Sequence, residues 1–162
     1  MPAPSPLLVI ACLSLLTALL FAICMGDILH RRIPNRLSGA TALLALPWWA
    51  AVSPHPLQQL AQQALIMAVA AAPLLGLFAA RIYGGGDVKL IAALLLWVPA
   101  ERVAIYVAGT AVAGSLVAIM MLAMAKIARR TPPTIPYGVA IAIGAALALF
   151  VPAREILMRT GF

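Results

Sequence analysis

The sequence predicts an all-α, polytopic membrane protein of about six helices, folded as a single domain over residues 1–162. Three observations carry that reading. Hydrophobic residues fill 65% of the positions and charged ones only 9%, too few charges to cover a soluble domain of this length. Apolar runs close to the ~20 residues needed to cross hydrocarbon recur along the chain. Prolines, glycines and basic residues gather in the breaks between them.

The first run covers residues 6–25 and ends at Gly26-Asp27. No positively charged segment precedes it, so it is expected to be a retained helix and not a cleaved signal. His30, Arg31, Arg32, Ile33, Pro34, Asn35 and Arg36 then form a basic connection. A second run over residues 37–52 contains Pro47, with Trp48 and Trp49 near its end as expected interface anchors. Two prolines make Ser53-Pro54-His55-Pro56 a turn. The third run, residues 57–80, is polar at its start (Gln58, Gln59, Gln62, Gln63) and apolar afterwards.

Arg81-Ile82-Tyr83-Gly84-Gly85-Gly86-Asp87 leads to a short fourth run over residues 88–98. Eleven helical residues span ~17 Å against ~30 Å of hydrocarbon, so this helix is either extended at its ends or sunk within the protein. After a brief loop at residues 99–102, the fifth run covers residues 103–125. Lys126, Arg129 and Arg130 introduce Thr131-Pro132-Pro133-Thr134-Ile135-Pro136, a proline-rich connection. The last run, residues 137–151, precedes a tail with Arg154, Glu155 and Arg159.

Net charge is +7, and its distribution explains it. Arg31, Arg32, Arg36, Arg81, Lys89, Lys126, Arg129 and Arg130 fall on one side if alternate connections share a face, and only Arg102, Arg154 and Arg159 on the other. Basic residues in short loops favour the cytoplasm, which puts both termini on the opposite side and Asp27 and Asp87 on one face. No nucleic-acid module or aromatic-interleaved basic patch appears, so nucleic acid is not an expected partner. Cys12 and Cys24 are too far apart on one helix to bridge and have no paired spacing for zinc; they read as buried thiols.

Only four acidic residues exist: Asp27, Asp87, Glu101 and Glu155. Glu101 and Glu155 each adjoin an arginine and read as interfacial charges. Asp27 and Asp87 each stand where an apolar helix meets a basic connection, and an ionisable group at such a boundary calls for a function and a partner. Each is the other's natural partner. Two carboxylates at close range share one proton, so one can draw a proton from water while the other polarises a carbonyl, the chemistry of aspartic proteolysis. Neither metal nor other cofactor is expected, since only His30 and His55 would supplement the acids and they lie on opposite sides. Gly84-Gly85-Gly86 before Asp87 permits positive φ or a close backbone approach.

Gly26-Asp27 followed by Arg32-Ile33-Pro34-Asn35, together with Gly84-Gly85-Gly86-Asp87-Val88-Lys89, resembles the type IV prepilin peptidase family. Pro136-Tyr137-Gly138 at the start of the last run is similar to a further family feature. The glycine-aspartate element alone is shared with presenilin-like and signal-peptide-peptidase-like enzymes; the Ile-Pro-Asn element selects the prepilin branch. The resemblance implies that Asp27 and Asp87 are catalytic, with Gly84, Gly86, Lys89, Pro34 and Asn35 as supporting or substrate-loop positions. It implies a prepilin or pseudopilin substrate, trimmed of a short basic leader at the cytoplasmic face of the bacterial inner membrane, typically after glycine. Larger members carry a paired-cysteine region linked to N-methylation. That region has no counterpart here, so the sequence most resembles the short, peptidase-only members of Flp-type pilus systems, and methyltransferase activity is not expected.

Plainer readings stand beside these. Asp27 can terminate the first helix beside Arg31, and Asp87 can cap the fourth. Lys89 can snorkel toward headgroups, and Arg31, Arg32 and Arg36 can bind anionic lipid. Pro34 and Asn35 shape a turn. Two rival functions differ in what they require: a proton-coupled transporter using Asp27 and Asp87 as relays needs carboxylates near mid-membrane, and a scaffold needs no acidic pair at all.

Overall fold

The computed structural model describes residues 6–81, 83–129 and 135–159. Ile82 and the stretch Arg130-Thr131-Pro132-Pro133-Thr134, where the proline-rich connection was placed, lie outside the described residues. Among the described residues the fold is wholly helical: α1 (Pro6–His30), α2 (Asn35–Val52), α3 (Pro56–Ala79), α4 (Gly85–Leu95), a 3-10 turn (Ala100–Arg102), α5 (Val103–Ile127) and α6 (Tyr137–Arg159). Among the described residues three helices are long and apolar enough to cross a membrane, which makes this a membrane protein: α1, α3 and α5 with its preceding 3-10 turn. A fourth is added if α6, bent by 41° where Pro152 enters, counts as one span. α2 falls short because Asn35 and Arg36 open it and Pro47 interrupts it, and α4 because it has 11 residues.

Two boundaries differ from the sequence reading. α1 continues past Gly26-Asp27 to His30, so Asp27 sits inside the helix and not beyond its end. Hydropathy falls at that point, but the backbone keeps its i→i−4 pattern as far as the Arg31 N–H, which donates to the Asp27 carbonyl at 3.0 Å. Likewise the expected tail at Arg154, Glu155 and Arg159 is the end of α6.

The short α4 is sunk within the protein, the second of its two expected placements. It packs on α2, α3 and α6, and Val88, Leu90, Ile91, Ala93, Leu94 and Leu95 are all buried. Trp97 and Val98, just past its end, are fully enclosed. Helix α5 packs chiefly on α6. There Gly144 faces Thr110 and the backbone of Tyr106, and a Cβ added to it would lie 2.7 Å from the Thr110 nitrogen. Glycine lets the two helices touch backbone to backbone.

Trp48 and Trp49 are not interface anchors. They are 3% and 7% exposed. Trp49 Nε1 donates to the Leu96 carbonyl at 2.7 Å, and Trp97 Nε1 donates to the Thr41 carbonyl at 2.9 Å. Trp48 stacks on Trp97 at a 5.5 Å centroid distance. The cause is the shortness of α4: where it stops, its last carbonyls face the interior of the bundle. The Trp49 indole N–H satisfies the Leu96 carbonyl, Trp97 ties the end of α4 back to α2 through Thr41, and the rings fill the space that a longer helix would have occupied.

Arg31, Arg81 and Arg129 have positive φ, 52°, 58° and 50°. They follow the C-terminal ends of α1, α3 and α5, where the chain turns out of the helix through the left-handed region.

Candidate active site

Asp27 is 5% exposed, one turn before the end of α1. Its Oδ2 accepts the backbone N–H of Gly138 at 2.7 Å. Gly138 is the second residue of α6, where N–H groups have no partner within the helix, so α6 turns the positive end of its dipole toward the carboxylate. A Cβ at position 138 would stand 2.9 Å from that Oδ2; the contact requires glycine. Asp27 is therefore held by α6, while Arg31, its expected neutralising partner, is exposed.

Asp87 is the third residue of α4 and not its cap. Gly84 holds the cap position with φ −71° and ψ 138°. The carboxylate reaches back to accept a hydrogen bond from the Gly84 backbone, the returning half of a capping box. A Cβ on Gly84 would lie 2.7 Å from Asp87 Oδ2. This first turn of α4 lies outside the helices able to cross the membrane. Burial, and secondarily the charge of Asp27, pushes the Asp87 carboxyl up to about 6 against the opposing Gly84 hydrogen bond. The two acids are thus near enough for one to feel the other's charge.

None of the three glycines uses a positive φ. They serve close approach instead. Gly84 makes room for the Asp87 carboxylate, Gly85 lies under the Phe78 ring, and a Cβ on Gly86 would come 3.1 Å from that of Ile33. Through Ile33 the α1–α2 connection rests on the start of α4. Lys89 Nζ ties the same two segments by donating to Asn35 Oδ1 at 3.0 Å. Pro34 fixes the turn, capping α2 with φ −65° and ψ 131°. The sequence elements around Asp27 and Asp87 therefore meet at one end of the bundle.

Sequence reasoning missed the aromatic pair above the acids. Tyr83 and Tyr137 meet edge to face at 5.4 Å, with a hydrogen bond between their side chains. Burial chiefly, aided by Tyr137 and the charge of Asp87, pushes the Tyr83 hydroxyl up. The signal was present: each tyrosine abuts a glycine of the site, Tyr83 before Gly84 and Tyr137 before Gly138. Below Gly138, the half-buried Cys24 Sγ lies 3.9 Å from its carbonyl oxygen. Among the described residues, no three His, Cys, Asp or Glu side chains converge in a metal-binding group.

A family model described as the type IV leader peptidase family matches residues 14–119, well over half the chain, including both aspartates and the segments that join them. The chain belongs to the type IV leader peptidase family. Neither the curated proteins nor the solved structures give a match. Membership makes this leader peptidase a membrane peptidase and implies a prepilin substrate. The matched stretch ends within α5, so the clasp of Gly138 on Asp27 lies partly beyond it.

Proposed function

We propose that this leader peptidase is an aspartic endopeptidase, with Asp27 and Asp87 as its catalytic pair. It acts as one unit over residues 1–162 and removes the short basic leader of Flp-type prepilins at the cytoplasmic face of the bacterial inner membrane. One observation carries the reading: two of the four acidic residues of the chain, 60 positions apart, lie at one end of the bundle, near enough for the charge of Asp27 to raise the Asp87 carboxyl, each against a glycine that leaves space for its carboxylate. The asymmetry of the basic residues supports the cytoplasmic placement of that end, with both termini on the far side and the six helices as the membrane-embedded body.

The geometry suggests a division of labour. Asp87, disfavoured as an anion, holds the shared proton and donates it toward the oxygen of the scissile carbonyl. Asp27, oriented by the Gly138 N–H, takes a proton from water as that water attacks the carbonyl carbon. The tetrahedral intermediate then collapses: the C–N bond breaks as the leaving nitrogen receives the proton from Asp27, and a hydroxyl of the intermediate returns its proton to Asp87 as the new carboxyl forms. Gly84 keeps a side chain away from the Asp87 carboxylate, and Gly86 lets Ile33 of the α1–α2 connection close on the start of α4. Pro34, Asn35 and Lys89 hold the α1–α2 connection against the start of α4.

Co-expression with a prepilin bearing a short basic leader, followed by sequencing of the mature N-terminus, tests this. A new N-terminus immediately after a glycine ahead of the hydrophobic segment is expected. A pilin that keeps its whole leader overturns the assignment.

A further inference from the structure

On the other side of α4 from the aspartates lies a groove of about 420 Å³ between α2, α3 and α4. Its floor is small and apolar, with Gly39, Ala42, Ala92 and Ala93; Met67 and Leu96 also line it. Gly39 has open space where a Cβ would project. At its mouth stand Lys89 and Asn35, with Arg36 exposed beside Asn35. Ser38 also lines the groove. It is 4% exposed, and its Oγ has no hydrogen-bond partner, a state that buried hydroxyls rarely keep unless something absent completes them. The mouth coincides with the N-terminus of α2, capped by Pro34, whose side chain offers no acceptor to the first N–H groups.

The polar side chains here supply a cation, a carboxamide and a free hydroxyl, all beside the positive end of a helix dipole. No carboxylate lines the groove. That set suits an anion with several acceptor oxygens. We propose that the groove binds an anionic phospholipid, with its phosphate at Lys89, Ser38 and the α2 N-terminus and an acyl chain along the α2–α4 floor. Lipid suits the position better than a peptide carboxylate does. Lys89 follows Asp87 by two residues and so faces roughly 200° around the helix from it, turned away from where a scissile bond must lie. A basic pocket between helices over an apolar floor is how membrane proteins hold acidic headgroups.

The test is lipid retention by the full-length protein, read by native mass spectrometry after extraction from vesicles of phosphatidylcholine with phosphatidylglycerol. Wild type is expected to retain one phosphatidylglycerol per chain in preference to phosphatidylcholine. Lys89→Gln should weaken retention about fivefold, the effect of one cation near an acidic surface, and Lys89→Arg should keep it. Gly39→Leu, which projects into open space, should abolish it by filling the floor. Helical content by circular dichroism identifies any variant that has failed to fold, and the contrast of Lys89→Gln with Lys89→Arg carries the test should Gly39→Leu do so. Equal retention of both lipids, or retention indifferent to Lys89→Gln, overturns the proposal. So does displacement of the lipid by millimolar inorganic phosphate or by an acidic peptide, which would mark a site for those ligands instead. Because the readout is bound lipid, a negative result leaves leader cleavage untouched, and failure of cleavage leaves the lipid site standing.

Discussion

Glycine does two different jobs at two of the contacts that α6 makes. At its start, Gly138 leaves room for a functional group: the missing Cβ lets the Asp27 carboxylate reach a backbone N–H. In its middle, Gly144 leaves room for another helix: the missing Cβ lets α5 come to backbone contact at Thr110 and Tyr106. The first contact is polar and buried, a carboxylate against a backbone N–H, and it joins α1 to the start of α6. The second is a close approach of helix backbones, with the Thr110 amide and the Tyr106 carbonyl facing Gly144, and it serves packing alone. Substitution at the first should therefore cost activity, and at the second should cost folding.

The largest expected effect lies with the acids that the first contact serves. Asp27→Asn and Asp87→Asn, each nearly isosteric, should lower leader removal by at least about a hundredfold while membrane insertion stays normal. Immunoblots of pilin maturation beside fractionated membranes measure both. Normal trimming in either variant would break the comparison at its root.

Next is Gly144→Val. Its side chain must enter space held by Thr110 and by backbone that cannot rotate away, so a loss of about 1–3 kcal/mol is expected. Thermal unfolding in detergent should show a fall of several degrees, with residual activity tracking the surviving folded fraction. An unchanged melting temperature would mean the α5–α6 contact is looser than described.

Gly138→Ala should separate activity from stability. The added methyl displaces Asp27, and a small misplacement of a reacting group costs on the order of tenfold to a hundredfold in rate. The melting temperature should move less than with Gly144→Val. A variant that cleaves normally but melts early would assign Gly138 to packing alone.

The smallest effect concerns pH. The Asp87 carboxyl ionises higher than an ordinary aspartate, up to about 6, so ionising it works against the folded state. A carboxyl raised in this way lowers stability as pH rises from its unfolded value through its folded one. Asp87→Asn should therefore raise the melting temperature by a few degrees at pH above 6 and have little effect near pH 4. In the same sense, cleavage by the wild type should decline on the alkaline side as the pair loses its shared proton. A melting-temperature difference independent of pH would contradict the burial that pushes Asp87 up.

The sequence made the order of helices and the two acids plain, because hydropathy and charge placement are read along the chain. What depended on lateral packing was less open to view. Trp48 and Trp49 stand near a helix end, as interfacial tryptophans do, yet they are buried. Trp49 is placed by the Leu96 carbonyl at the end of α4, left facing the interior because that helix is short, and Trp48 by the ring of Trp97 just beyond it. The end of α1 was misplaced for a related reason: loss of apolar character at Gly26-Asp27 marks where lipid contact changes, not where backbone hydrogen bonding stops. The Tyr83–Tyr137 contact joins residues 54 positions apart; the sequence supplied the tyrosines, but only the fold brought them together.

The three arginines with positive φ show what the chain gives up for orientation. Arg31, Arg81 and Arg129 occupy a conformation in which a residue with a side chain costs roughly 1–2 kcal/mol, whereas glycine enters it freely. Glycine at these three positions would relax the backbone but remove three units of positive charge from the ends of α1, α3 and α5. The favourable dipole interaction of a cation at a helix C-terminus, about 0.3–1 kcal/mol each, returns only part of the strain. What remains is local stability surrendered to keep a cation at the end of each of these three helices.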